Sequence, residues 1–181
     1  DLIATYSDIA SKMNKNVIIV SSDKDLMQLV DQNTTLFDPM KQFWINDEKV
    51  FEKFGVYPNK VIDVQSLAGD TSDNIPGVPG IGIKTAAELI NEYEDLDQLL
   101  NRASEIKQNK RRENLLEFAH QAILSRSLVT LKKDVPIKSQ IEEFKISSEL
   151  ELNKLIPFLK THGFKSLLNK YENSSTNKKS C

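Results

Sequence analysis

Apolar residues Leu2, Ile3, Tyr6, Ile9, Ala10 and Met13 recur at three- and four-residue intervals, which predicts an amphipathic helix over 1–15. Asn14–Asn16 ends it. Val17-Ile18-Ile19-Val20 then breaks the period with a short β-branched run of the kind found in a strand buried on both faces. Ser21-Ser22-Asp23 reads as a turn and helix cap, 23–31 as a short helix, and Thr34–Asp38 as a second strand. Helix, strand, helix, strand is the rhythm of a parallel α/β sheet.

After Trp44 the alternation stops and helical spacing takes over. Helices are expected at 47–54 and at 58–68, the second opened by Pro58. A Gly/Pro-rich hairpin at 75–83 leads into helices over 84–93 and 95–102. A long helix is expected from about Lys110 to Thr130, with Leu115, Leu116, Ala119, Ile123 and Leu124 on one face. The stretch 132–147 is extended and polar. Helices return at 149–161 and 164–171, and Pro157 should kink or restart the first. Residues 173–181 form a polar tail without core-forming side chains. The division is therefore 1–45 as part of an α/β core, 46–172 as a helical subdomain, and 173–181 as tail or linker. There is no internal repeat.

Composition narrows the class only a little. The chain has 181 residues, 39% hydrophobic and 28% charged, enough for one domain with a small appendage. Its 24 basic and 26 acidic residues give a net charge of −2. That is not the basic excess typical of a nucleic-acid binder, although an acidic metal site would mask a local basic face. The single cysteine, Cys181, forms no internal disulfide, which fits a reducing cytoplasm. No apolar run is long enough to span a membrane. A start at Asp1, inside a helical pattern, suggests a fragment.

Carboxylates are the first candidate chemistry. Asp70 and Asp73 lie three residues apart, close enough to face one hard, oxygen-ligated cation such as Mg²⁺ or Mn²⁺. Asp23 and Asp25 stand directly after the strand 17–20, and ligand sites of open α/β sheets lie at the carboxyl ends of strands. Asp23 reads equally well as a helix cap. Four carboxylates converging without a cation would repel one another at neutral pH. Asp1, by itself, offsets the dipole of the first helix.

The glycine hairpin is the second. Within Ile75-Pro-Gly-Val-Pro-Gly-Ile-Gly-Ile-Lys-Thr-Ala-Ala87, the segment 74–92 fits a helix–hairpin–helix. One of Gly80 and Gly82 permits the turn, and the other lets backbone approach a phosphate. Ile81 should plug into the core, with Thr85 and Ala86 small enough for close packing. Gly77, Gly80, Ile81, Gly82, Lys84 and Thr85 are the candidate DNA-binding residues. Such a hairpin grips duplex backbone without reading bases. Lys84, Lys107, Lys110, Arg111 and Arg112 could extend the phosphate-binding face; 107–112 also reads as a solvated helix start. His120 and His162 have no partner pattern and read as structural or solvent-facing, and Phe43 and Trp44 as packing residues.

Four segments carry a resemblance: Asp1-Leu-Ile-Ala; Val17-Ile-Ile-Val-Ser-Ser-Asp23-Lys-Asp25-Leu-Met-Gln-Leu; Leu67-Ala-Gly-Asp70-Thr-Ser-Asp73-Asn-Ile-Pro-Gly-Val-Pro-Gly-Ile-Gly-Ile-Lys-Thr-Ala; and Leu124-Ser-Arg-Ser-Leu-Val-Thr. In order and spacing they resemble the flap-endonuclease family, as found in the 5′ nuclease domain of bacterial DNA polymerase I. The resemblance runs from residue 1 to about 171. It implies an α/β fold with a truncated parallel sheet, like that of PIN domains and flap endonucleases, and a helical subdomain carrying the hairpin. It implies hydrolysis of DNA at 5′ ends and flap junctions with two divalent cations, in primer removal and repair.

Position by position, the resemblance makes Asp23, Asp25 and Asp73 ligands of the second metal site, with Asp70 beside them. Asp1 becomes the last acid of the motif serving the first site. K⁺ would sit at the hairpin on backbone carbonyls. The expected partners are DNA with a 5′ flap or a nick and polymerase domains in cis, in a cytoplasmic, nucleoid-associated monomer. The family's first strand, its helical arch and most first-site acids have no counterpart, so this piece is expected to be inactive and to leave a sheet edge open. A non-catalytic duplex-binding module, or a freestanding 5′ nuclease, are the alternative readings.

Overall fold

The computed structural model describes residues 1–145 and 152–176. It divides into two compact units, Asp1–Ile137 and Lys138–Cys181.

The first unit opens with α1 (Leu2–Lys12) and β1 (Val17–Val20), followed by a 3-10 helix at Lys24–Leu29 and β2 (Thr34–Asp38). β1 and β2 pair in parallel, Val17 against Thr34 through Val20 against Phe37. A third strand, β3 (Phe43–Ile45), follows and pairs antiparallel with β2. The sheet is therefore mixed, in the order β1-β2-β3, rather than purely parallel. Only three residues long and directly after a turn, β3 is too short to show a period.

β1 is not buried on both faces. Ile19 points into the core, whereas Ile18 and Val20 are 59% and 62% exposed. Among the described residues no strand pairs with the other edge of β1. A run of β-branched residues favours a strand, but what covers each face is settled by neighbouring elements.

Helices then dominate: α2 (Asp47–Phe54), α3 (Val61–Ala68), α4 (Ile83–Tyr93), α5 (Leu96–Asn101), α6 (Asn109–Glu117) and α7 (Ala119–Val129). Asn46 caps α2 by accepting from the Lys49 amide at 3.1 Å, and Asp95 caps α5 by accepting from the Gln98 amide at 2.7 Å. Gly55 closes α2 in the left-handed conformation. One continuous core joins Leu36 and Ile45 of the sheet to Val50, Phe54, Val64, Leu67, Ile90 and Leu115 of the helices. α3 lies at its centre, packed against both α4 and α7.

The expected helix over 110–130 is two helices. Phe118 separates them, its backbone out of helical values at φ −104°, ψ 19°, while its ring packs on the core. No proline or glycine announces the break. The buried stripe also differs from the expected one: it runs through Leu115, Ala122, Ser125 and Val129, while Leu116, Ile123 and Leu124 are exposed. α7 lies close to α3, where small and polar side chains fit and large apolar ones do not.

The described part of the 132–147 stretch, 132–145, forms no strand and contains a 3-10 helix at Ile141–Phe144. Its first part is strapped to α1: the Val135 amide donates to Thr5 Oγ1 at 3.2 Å, and Thr5 Oγ1 donates to the Lys132 carbonyl at 3.3 Å.

The second unit contains that 3-10 helix, α8 (Leu152–Thr161) and α9 (Lys165–Thr176). α8 continues through Pro157 as a single helix. α9 extends to Thr176, so 173–176 are helical rather than tail; 146–151 and 177–181 lie outside the described residues. His162 stacks on Phe158 at 4.2 Å and His120 is exposed, in line with structural and solvent-facing roles. Trp44 rests on Phe37, ring centroids 5.0 Å apart.

The two kinds of sheet position should respond differently to truncation. Leu36→Ala, at a fully buried site, is expected to cost about 2–5 kcal/mol in urea unfolding, and Ile18→Ala less than about 0.5 kcal/mol.

Candidate metal centre and phosphate-binding hairpin

Two loops from distant parts of the sequence build the acidic site. The first leaves β1. The Asp23 amide donates to Ser21 Oγ at 3.1 Å, and Asp23 Oδ1 accepts from the Asp25 amide at 2.9 Å, capping the 3-10 helix. That cap fixes the turn and places Asp25, half-buried, in the helix's first turn. Asp38, at the end of β2, holds the same edge: it accepts from Ser22 Oγ at 2.6 Å and from the amides of Met40 and Lys41. These bonds keep its carboxyl below the usual range, the Ser22 bond most of all.

The second loop follows α3. Asp70 and Ile75 form an antiparallel bridge, each amide donating to the other's carbonyl at 2.8 Å. Gly69 (φ +69°) and Gly77 (φ +61°) meet at its base. A Cβ on Gly77 would lie 2.4 Å from the Gly69 nitrogen, and one on Gly69 would lie 2.6 Å from the Ile75 carbonyl oxygen. Only glycine fits either place. The buried Gly77 is further fixed from α7: its amide donates to Ser125 Oγ at 3.1 Å, and its carbonyl accepts from Gln121 Nε2 at 2.7 Å.

Across these loops, one carboxylate oxygen each from Asp25, Asp70 and Asp73 lies within 4.8 Å of the others. Oxygens bound to a single hard cation at about 2.0–2.5 Å can be at most about 4–5 Å apart, so the set fits one such ion. Asp70 is the buried member, 6% exposed, and Asp73 stands exposed in the turn.

Neighbouring side chains balance the charge. Lys24 Nζ pairs with Asp70 Oδ2, while Asp70 Oδ1 accepts from the Ser72 amide at 3.0 Å and its hydroxyl at 2.5 Å. Lys24, then Ser72, holds the Asp70 carboxyl below its ordinary value, and Asp70 raises the Lys24 ammonium in return. Asp25 goes the other way. Burial pushes its carboxyl up, and the charges of Asp23, Asp70 and Asp73 add to this against the lowering hydrogen bond from Gln65. That bond runs from Gln65 Nε2 to Asp25 Oδ1 at 2.6 Å. Gln65 is 3% exposed, and its amide oxygen has no hydrogen-bond partner among the described residues.

Asp1 and Asp23 do not join the three. The Asp1 carboxylate accepts from the Lys132 amide at 2.8 Å, and Asp23 is the cap described above. Lys24 and Gln65 did not stand out in the sequence. Lys24 sits between two singled-out aspartates, which is the one signal it offered; Gln65 offered none, since only the packing of α3 brings it to Asp25.

In the hairpin, Gly80 (φ +76°) and Gly82 are at the surface, with nothing within 4 Å of a Cβ on Gly82. Ile81 is buried in the core, Thr85 is half-buried and Lys84 is exposed. α4 starts at Ile83 without a side-chain cap, so its first amides lack intrahelical partners. Asn114 Nδ2 braces the turn by donating to the Pro79 carbonyl at 2.7 Å. Lys107 and Lys110 are exposed. Arg111 lines a small cleft beside Tyr93, and Arg112 is tied to the Ile106 carbonyl at 2.8 Å and Asn109 Oδ1 at 2.9 Å.

A strand-loop carboxylate, a hairpin carboxylate pair and a glycine turn in one small α/β unit define a nuclease-like class of fold. The chain belongs to the 5′-3′ exonuclease family. Residues 1–55 match its N-terminal resolvase-like domain and residues 56–151 its C-terminal SAM-fold domain. It is 52% identical over 167 residues to DNA polymerase I of Rhizobium leguminosarum, covering 92% of this chain and 16% of that protein. It is 36% identical over 149 residues to the 5′-3′ exonuclease of Buchnera aphidicola from Acyrthosiphon pisum, covering 79% of this chain and 52% of that one.

The chain thus spans at most about half the length of these curated relatives. Among solved structures, the bacteriophage T5 flap endonuclease with DNA and metal ions matches at a TM-score of 0.66 and 21% identity, over 71% of this chain and 47% of that one. T5 5′-exonuclease with bound zinc matches at 0.65 and 21%, over 71% and 49%. These likenesses establish the shared fold.

Two outcomes are expected. Gly77→Ala should destabilise the chain by more than about 1 kcal/mol in urea unfolding, because backbone must move to admit the Cβ. Asp25→Asn should stabilise the cation-free chain at neutral pH. An acid whose native pKa is raised binds more protons folded than unfolded, so stability falls as pH rises through that window. The gain should stay below about 1 kcal/mol, since solvent screens a half-exposed group. It should vanish below the ordinary Asp value near 3.8, which pH-dependent unfolding of both proteins would check.

Proposed function

We propose that this chain forms part of a structure-directed 5′ nuclease that hydrolyses DNA phosphodiesters at 5′ ends and flap or nick junctions. The observation that supports it most is the group of Asp25, Asp70 and Asp73, the last two on the segment that leads directly into the hairpin at 80–82. Its place is the bacterial cytoplasm, in cis to polymerase domains, in primer removal and repair synthesis; the relatives named DNA polymerase I support this.

Asp25, Asp70 and Asp73 would hold a Mg²⁺ or Mn²⁺ ion. With such a cation held by these three carboxylates, and a second in a two-metal site, the site would gain positive charge to stabilise the oxygens of a phosphodiester undergoing hydrolysis. Asp70 offers a pre-oriented buried carboxylate, because Ser72 and Lys24 fix its position. Gln65 orients Asp25 from behind. The amides at Gly82–Lys84 take a phosphate of the duplex arm, and Lys84 adds charge there. K⁺ is the candidate ion for hairpin carbonyls, although Asn114 already occupies that of Pro79.

A second cation would need carboxylates beyond the three that converge. Asp23 and Asp1 are the candidates in this chain, and both are engaged in backbone hydrogen bonds. The 181-residue chain by itself is therefore expected to bind one divalent ion and to cleave little or nothing.

Mn²⁺ titration calorimetry tests this directly. One weak site in the chain, lost in Asp73→Asn and in Asp70→Asn, is the expected result. Unchanged binding in both variants, or none by the folded chain, would overturn the metal assignment. Efficient Mn²⁺-dependent flap cleavage by the isolated chain would overturn the single-cation part alone.

A further inference from the structure

Beside the acidic loops several lysines stand among carboxylates. A cleft of about 400 Å³ opens at the carboxyl edge of the sheet, bordered by Ser22, Asp38, Lys41, Lys49, Glu52 and Lys53. A second cleft, of about 480 Å³, lies between the end of α2 and the start of α4, bordered by Glu52, Lys53, Ile83, Lys84 and Glu88. Lys53 belongs to both. Its ammonium also lies 5.7 Å from the Phe54 ring centroid, so the stem rests on the core.

The charges around Lys53 are the telling feature. Among the described residues neither Lys41 nor Lys53 has a carboxylate within ion-pair distance; Lys49, their neighbour, is spoken for by Glu52 at 2.6 Å. Partial burial lowers the Lys53 ammonium most, followed by the positive charges of Lys41 and Lys24, with Asp25 and Asp38 acting in the opposite direction. Lys53 is thus within electrostatic reach of Lys41, of Lys24 and of the carboxylate site itself. Unpaired lysines held near one another raise each other's need for an anion, and phosphates supply it.

We propose that Lys53, with Lys41, is a phosphate-binding station on the DNA strand running between the hairpin and the carboxylate site. The inference rests on the nuclease reading above and adds a specific path to it. One cleft places Lys53 next to Lys84 and the uncapped start of α4, where the duplex backbone is gripped. The other leads from Lys53 along the sheet edge toward the loop that carries Asp25. A strand following this path would find Lys84, Lys53 and Lys41 as its cationic contacts; of the carboxylates along it, Glu52 is paired with Lys49 and Asp38 is hydrogen-bonded to Ser22, while Glu88 borders the hairpin end. The contacts are to phosphate, so they position the strand and carry no sequence preference.

The test is fluorescence anisotropy with a labelled 5′-flap duplex in Ca²⁺ buffer, using the full 181-residue chain at several salt concentrations. Lys53→Gln should weaken binding and lower the slope of log affinity against log salt by about 0.7–0.9, one counterion's worth. The wild-type advantage should accordingly shrink about threefold between about 50 and about 200 mM salt. Lys53→Arg should keep the wild-type slope, which separates charge from damage to α2. Lys15→Gln, in the turn before β1, should leave binding unchanged. If Lys84→Gln weakens binding and Lys53→Gln matches wild type in affinity and slope, the station is refuted and the nuclease reading stands. If the folded wild-type chain does not bind the flap duplex, both fail.

Discussion

The back-to-back contact of Gly69 and Gly77 is the constraint on which the functional half of this molecule depends. α3 ends at Ala68, and the chain must turn, present two carboxylates and return to the core within a few residues. It does so because the two glycines allow backbone to lie directly against backbone, both at positive φ. Ser125 and Gln121 of α7 then hold the returning strand by the Gly77 amide and carbonyl. The Asp70–Ile75 bridge fixes the carboxylates, and the next turn becomes the hairpin at 80–82, anchored by buried Ile81. The acidic group and the glycine hairpin are thus successive products of one return of the chain.

This clamp also explains α7. A helix that has to bind a glycine backbone needs a small, polar inner face, and Ser125 and Ala122 supply it while the larger Ile123 and Leu124 remain outside. The ordinary rule that the most apolar stripe turns inward gives way where two backbones must approach closely. The break at Phe118 lets α6 turn its own inner face, Asn114 and Leu115, to the hairpin turn and the core.

Around the carboxylates the protein keeps a restrained electrostatic balance. Asp70 is stabilised as an anion by Lys24 and Ser72, whereas Asp25 carries the cost of partial burial and of like charges nearby. Gln65 meets that cost in part and keeps one polar atom buried without a partner among the described residues. Like charges gathered in this way would be relieved by the cation proposed above, which would join the exposed Asp73 to the other two.

Much of this was written in the local sequence. Most of the helix periods, the two parallel strands, the Asp23 cap, the aspartate pair and the glycine hairpin depend on residues a few positions apart, and these elements lie close to where their patterns placed them. Tertiary structure decided the rest: the antiparallel β3, the one-sided burial of β1, the division at Phe118 and the inner face of α7. It also decided which aspartates meet: Asp25 joins Asp70 and Asp73, while Asp23 and Asp1 serve the backbone. Lys24 and Gln65 acquired their roles the same way. The reason is physical. Spacing along a helix or strand is set by backbone geometry and can be read from one segment, but the distance between residues some forty positions apart is set by how α3 packs on the sheet-bearing part of the core.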